Sequence, residues 1–246
     1  YKFTKIFRGR HEQKQVFDGV HYLTLAMSGY DGFGTQVFFP LFPMLSNGLT
    51  WLTQDTFISA FLISNVAILL AGILLFKLVK KHFDENTAKW SVLFLFAFPT
   101  SLFFGAIYTE SLFLLLILAV FSTSGLLSGI FGALAGGTRL IGSFAGLSLI
   151  FSKKRNWWGL LSVFGLGSYI LYLWWRFGRP LFFLSAQSAF GSRATNITGL
   201  VTPFQTIFRY FKIFITVNPG SYDFWIAFVE ISAFILGVTI LIWLSL

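Results

Sequence analysis

Of the chain's 246 residues, 56% are hydrophobic, 20% aromatic and only 11% charged, less than half the roughly 25% charge of an ordinary soluble domain, which excludes a water-soluble globule. Its 33 Phe and several apolar runs near the roughly 20 residues that cross a bilayer core of about 30 Å point to an all-α, polytopic transmembrane helical bundle. The absence of Cys and the presence of only three His exclude disulfide frameworks, thiol chemistry and Cys-ligated metal sites, and a net charge of +9 in such a chain points to membrane lipid phosphates before nucleic acid.

The sequence begins at Tyr1 and stops within the apolar run Phe224 to Leu246, so both ends read as cut and no signal peptide is judged. Its first 17 residues are polar and basic, with Lys2, Lys5, Arg8, Arg10 and Lys14. Val20, Leu23, Met27 and Tyr30 then recur at helical spacing behind Asp18, which reads as the N-cap of an interfacial amphipathic helix. Gly32 and Gly34 are expected to end that helix. FFPLFP, Phe38 to Pro43, cannot run as uninterrupted helix, because each Pro lacks an amide hydrogen and clashes with the preceding turn; the motif starts the next helix or shapes a cavity wall.

Phe57 to Phe76 reads as the first membrane span. It ends in KLVKKHFDENTAK, a charged turn with Lys77, Lys80, Lys81 and Lys89, which the positive-inside rule places in the cytoplasm, leaving residues 1–56 outside. Two apolar runs, Trp90 to Pro99 and Leu112 to Phe121, read as an up-and-down pair broken by FPTSLFFGAIYTES. Ser124 to Phe151 is too long for one span and carries Gly136, Gly137 and Arg139 at its middle. Two half-helices meeting near Arg139 suit it better, and they return Lys153, Lys154 and Arg155 to the inside. Trp157 to Trp175 then rises to the polar segment 176–223, and the last apolar run descends. The expected organisation is one transmembrane domain over 1–246: an outer loop with the amphipathic helix at 1–56, a bundle at 57–175, an outer loop at 176–223 and a helix at 224–246.

Seven of the 18 basic residues fall in the two short inside loops and eleven at the outer side. Short loops are where the charge rule has force, and an anionic lipid headgroup would account for the outer excess.

With this orientation Asp18, Glu110 and Arg139, from three separate parts of the sequence, arrive at the outer membrane face. An ionisable residue costs at least about 2.5 kcal/mol near the membrane centre, so Glu110 and Arg139 are expected to face a bundle interior or an aqueous cavity, or simply to pair with each other. His21 follows Asp18 by one turn and reads as a helix-face polar group, since no second ligand stands at metal-binding spacing. Arg193, in QSAFGSR, is either a phosphate fork or a solvated charge. Glu230 lies in the last apolar run without a basic neighbour and has no assigned role. Asn196, Ile197 and Thr198 form a sequon of weak specificity.

FDGVHYLTLAMSGY, then FFPLFP, FPTSLFFGAIYTESLF and GALAGGTRLIG, in this order and spacing over nearly the whole chain, resemble the PIG-V-like mannosyltransferases, relatives of GPI mannosyltransferase II in the GT-C superfamily. The family's aromatic-Asp pair stands here as Phe17 and Asp18, where Trp commonly precedes the Asp. A first transmembrane helix and later spans of the family are expected beyond these residues. The resemblance implies inverting transfer of a mannosyl residue from a polyprenyl- or dolichyl-phosphate donor to a glycan or glycolipid acceptor hydroxyl. The site would lie at the outer or luminal face of a multi-pass protein, in the plasma membrane of a prokaryote or the endoplasmic reticulum of a eukaryote. No cofactor, metal or nucleotide sugar is implied, in keeping with the lack of a DxD pair.

The mechanism expected of these residues has Asp18 as general base, Arg139 and Arg193 as donor-phosphate ligands, Glu110 orienting an acceptor hydroxyl or holding Arg139 in place, and His21 and Tyr108 as groups that orient substrate. A transporter also carries intramembrane charges and Pro-broken helices, but it binds near the midplane, often between inverted repeats. Here the charges gather toward one face. A non-catalytic subunit of a glycosyltransferase complex and a GT-C enzyme for another sugar are the remaining readings.

Overall fold

The computed structural model describes residues 18–32, 34–151, 155–190 and 203–245, and among them all regular structure is helical. The chain divides into two units, Tyr1–Thr195 and Asn196–Leu246. In the first unit, helix α1 (Asp18–Ser28) buries Tyr22, Leu25 and Ala26, while Met27 is exposed. Of the expected stripe Val20, Leu23, Met27 and Tyr30, Leu23 and Tyr30 pack against the edge of the core while Met27 misses it, so the buried face is rotated from the expected one. Apolarity alone sets the expected stripe, whereas the packed one follows what the neighbour offers: Tyr22 meets the rings of Phe38 and Phe42 edge-on at 5.0 and 5.3 Å, and the Asn47 amide donates to the Ala26 carbonyl. The helix also ends earlier than expected. Gly29, at φ 75°, takes the left-handed conformation that closes helices at least cost, its amide donating to Leu25 O at 2.9 Å.

FFPLFP starts a helix. Helix α2 (Leu41–Thr53) follows Pro40 and holds Pro43 in its first turn, where the missing amide hydrogen would have had no partner anyway. Helix α3 (Thr56–His82) is capped by the Asp55 carboxylate, which accepts from the amides of Phe57 at 2.7 Å and Ile58 at 3.1 Å. It runs past Phe76 to His82, so Lys77, Lys80 and Lys81 ride on the helix and the turn shrinks to Phe83 and Asp84 before helix α4 (Glu85–Ala97). Cations suit that last turn because the carbonyl end of a helix is negative. Glu85 takes Lys80 at 2.6 Å and Lys89 at 3.0 Å, and these two, Lys80 foremost, hold its carboxyl down at about 2.

Between α4 and helix α5 (Glu110–Ser122), residues 98–109 form only short turns. Polar side chains hold this irregular backbone. Asn65 Nδ2 donates to Gly105 O at 3.2 Å, Ser64 Oγ to Tyr108 O at 3.3 Å, and Ser111 Oγ to Phe104 O at 2.5 Å. Such cover satisfies carbonyls that no helix pairs.

The break expected near Arg139 is present. Helix α6 (Gly125–Thr138) and helix α7 (Leu140–Leu147) flank Arg139, which is extended at φ −155°, ψ 146°. The chain reverses there. A Cβ on Gly142 would sit 2.1 Å from Ala135 O, and one on Gly146 would sit 3.3 Å from the Cα of Gly132. Farther along, Asn156 Nδ2 donates to Gly125 O at 3.3 Å and Ser128 Oγ at 2.6 Å. Asn156 thus lies at the Gly125 end of the hairpin, opposite Arg139. At 14 residues, α6 is about 21 Å long, short of the roughly 30 Å of a bilayer core. Helix α8 (Ser162–Phe177), entered through the turn Trp157–Leu161, packs on α6 so closely that a Cβ on Gly165 would stand 1.8 Å from Ala133 O.

Two stretches, Thr56–His82 and Trp157–Phe177, are long and apolar enough to cross a membrane, and Glu110–Ser122, Gly125–Thr138, Leu140–Phe151 and Phe224–Ile240 are shorter apolar helices. In the second unit, helix α9 (Pro203–Thr216) arises within the segment 176–223 read from sequence as polar loop. Its Phe, Ile, Arg209 and Lys212 recur at helical spacing, a pattern hidden by its polar flanks. Helix α10 (Tyr222–Ser245) carries Glu230, and the Tyr210 hydroxyl donates to that carboxylate. Glu230 therefore has a partner that the sequence around it does not reveal.

Candidate active site

Three segments meet at the first turn of α1. Gly19 backs onto residues 98–109 so tightly that a Cβ there would stand 3.0 Å from Ile107 O. Tyr108, from the same segment, lies against the Asp18 backbone amide and next to its carboxylate, with its ring edge-on to Phe103 at 5.4 Å. Asp18 opens the helix, and a carboxylate there is favoured by the positive helix end.

Arg139 reaches this place from the break between α6 and α7. As the extended residue between the two helices, it reaches the start of α5. Its Nη2 pairs with Glu110 Oε1, its Nε donates to Thr109 Oγ1 at 3.0 Å, and its guanidinium stands over the Phe113 ring at 5.5 Å. Glu110 is the first residue of α5 and Phe113 follows one turn later, so the two flank the cation from one helix face. About a third of each charged side chain is exposed, 38% for Arg139 and 31% for Glu110. Yet Glu110 Oε2 is itself buried and lacks a hydrogen-bond partner among the described residues, a condition that costs about 1–3 kcal/mol unless another donor reaches it.

Asp18 senses the whole cluster. Partial burial raises its carboxyl above the usual range; His21 pulls it back most strongly, Glu110 adds to the rise, and Arg139 lowers it. His21 is itself pushed down by burial and drawn up by Asp18, and its ring stacks on Phe38 at 5.1 Å. Tyr22, one turn beyond Asp18, stands 3.5 Å from Thr109 Oγ1 and is pushed up to about 12, chiefly by burial. A carboxylate of raised basicity, a second carboxylate with an open oxygen and a guanidinium with unused donors can together accept a proton, hold a hydroxyl and bind an anion.

The structure brings together Asp18, His21, Tyr108, Glu110 and Arg139, and it pairs the last two. Arg193 lies outside the described residues, as do Lys153, Lys154 and the sequon. Reading the sequence missed Tyr22, Thr109 and Phe113. Each had a signal: Tyr22 is four residues after Asp18 on the same helix face, while Thr109 and Phe113 flank Glu110 in the YTESLF block. A family model described as mannosyltransferase (PIG-V) matches residues 3–132, a stretch that holds every residue of the cluster except Arg139. No curated protein and no solved structure matches the chain.

Proposed function

The chain belongs to the mannosyltransferase (PIG-V) family, and from that premise we propose that it moves a mannosyl residue from a polyprenyl- or dolichyl-phosphate donor to an acceptor hydroxyl. The supporting observation is that the Arg139–Glu110 ion pair and the helix start that carries Asp18 both gather on the segment around residues 107–110, from parts of the chain far apart in sequence. Asp18 accepts the acceptor's hydroxyl proton as that oxygen attacks the anomeric carbon. The bond from that carbon to the donor phosphate breaks as the new one forms, the configuration inverts, and the prenyl phosphate leaves with the electron pair. Arg139 stabilises the charge gathering on the leaving phosphate, the kind of electrostatic term that commonly dominates catalysis. Glu110 holds Arg139 through Oε1 and orients an acceptor hydroxyl.

In this reading the bundle is a polytopic GT-C fold with its catalytic end at the outer or luminal face. The prenyl chain stays in hydrocarbon while the phosphosugar reaches the cluster. Arg193 is a further donor-phosphate ligand, and His21 and Tyr108 orient substrate. The test is transfer by the full-length protein in lipid vesicles. Mannose should pass to acceptor from dolichyl-phosphate mannose and not from a nucleotide-activated mannose; transfer from the nucleotide sugar alone would overturn the donor assignment.

His21 supplies a pH test. The charge of His21 favours the Asp18 carboxylate. In His21→Ala, burial and Glu110 oppose Arg139 alone, so Asp18 holds its proton to higher pH. The acid limb of the kcat/KM profile should move up in pH. An unmoved limb would mean that Asp18 is not the titrating base.

A further inference from the structure

Thr109 occupies the N-cap position of α5 but makes no side-chain cap bond, although a threonine there ordinarily accepts from an amide of the first turn. Its backbone is helical, at φ −81° and ψ −10°, so the hydroxyl does not reach those amides and is left to other partners. Oγ1 accepts from Arg139 Nε at 3.0 Å and stands 3.5 Å from the Tyr22 hydroxyl, within a side chain that has no exposed surface. We infer that Thr109 is a positioning residue that sets the rotation of the Arg139 guanidinium toward the donor phosphate, steadied by Tyr22 from the helix that carries Asp18. This rests on the reading of Arg139 as a donor-phosphate ligand.

A guanidinium is a rigid plane, and Nε and Nη2 lie along one of its edges. Glu110 holds that edge at Nη2 and Thr109 at Nε. One contact at the tip would let the plane swing; two contacts on one edge fix it. The remaining edge, Nη1 with the second hydrogen of Nη2, has no partner among the described residues. It is the fork that two oxygens of a phosphate monoanion or dianion engage side by side. Phe113 covers one face of the plane, which leaves that open edge as the route for an anion. Because Tyr22 stands one turn beyond Asp18, the same contact ties the position of the base to the position of the fork.

The test compares two substitutions whose rank order separates hydroxyl from packing. In the full-length protein with dolichyl-phosphate mannose as donor, Thr109→Val should lower kcat/KM for donor about tenfold, as loss of a hydrogen bond to a charged group does. The KM for acceptor should stay as it is. Thr109→Ser, which keeps the oxygen, should hold donor kcat/KM within about twofold of wild type. Packing alone predicts the reverse, with Val tolerated and Ser impaired, and that order would overturn the inference. If Thr109→Val does not accumulate in membranes, Tyr22→Phe decides: donor kcat/KM should fall about threefold with acceptor KM steady, and a wild-type value would overturn it. Arg139→Ala separates the two readings. Unchanged donor binding in Arg139→Ala removes the phosphate site itself, whereas impaired Arg139→Ala beside a wild-type Thr109→Val removes only the positioning role.

Discussion

Asp18→Asn in the full-length protein should cut mannosyl transfer by about a hundredfold or more, the usual consequence of losing a general base, while the protein accumulates in the membrane as wild type does. Asn serves the start of a helix about as well as Asp, so α1 is retained. Stability should not fall at neutral pH. The folded-state carboxyl is raised above its ordinary value, chiefly by burial; such a group contributes stability only when protonated, and that contribution is lost as pH rises through its folded value. At neutral pH the charged carboxylate therefore opposes folding, and the neutral Asn relieves it. The measurements are transfer rate and thermal midpoint together. Near-normal turnover with a wild-type midpoint would remove Asp18 from the reaction.

Arg139→Ala should lose on the order of a hundredfold or more in transfer, as expected when a donor to developing charge is removed. Arg139→Lys should do nearly as badly, because an ammonium keeps the charge but cannot offer two parallel donors while also reaching Thr109 and Glu110. Donor binding should weaken in both. The ion pair with Glu110 supplies the competing explanation, that Arg139 merely neutralises a carboxylate. Under that explanation the exchanged pair, Glu110→Arg with Arg139→Glu, restores folding and activity together. Restored transfer in the exchanged pair would reject the phosphate role. Because Arg139→Ala leaves the part-buried Glu110 carboxylate without its cation, accumulation and thermal midpoint are measured beside transfer, and Arg139→Lys, which keeps the charge, separates lost activity from lost folding.

Much of the architecture was legible because it depends on local rules. A low charge fraction and long apolar runs fix an all-helical chain, since helices satisfy their own backbone groups without water. Gly136, Gly137 and Arg139 within an apolar stretch announced the break between α6 and α7, and the structure puts it there. FFPLFP announced a helix start, because proline in a first turn wastes no hydrogen bond. Asp18, Glu110 and Arg139 stood out as charges that an apolar chain does not carry for solubility.

What only tertiary structure decided is which atoms meet. Which face of α1 is buried depended on Phe38 and Phe42 arriving from another element, so of the stripe Val20, Leu23, Met27 and Tyr30, Leu23 and Tyr30 meet the edge of the core and Met27 is exposed. That the Tyr108 and Gly105 carbonyls are held by Ser64 and Asn65, some 40 residues earlier, follows from the packing of α3 alone. The partner of Glu230 came from α9, a helix whose pattern was masked by its surroundings. Thr109 shows the limit most plainly. In sequence it is one more helix-capping threonine, with nothing to say that its backbone takes a helical conformation, φ −81° and ψ −10°, that carries the hydroxyl away from the first-turn amides and leaves it to Arg139 from 30 residues downstream.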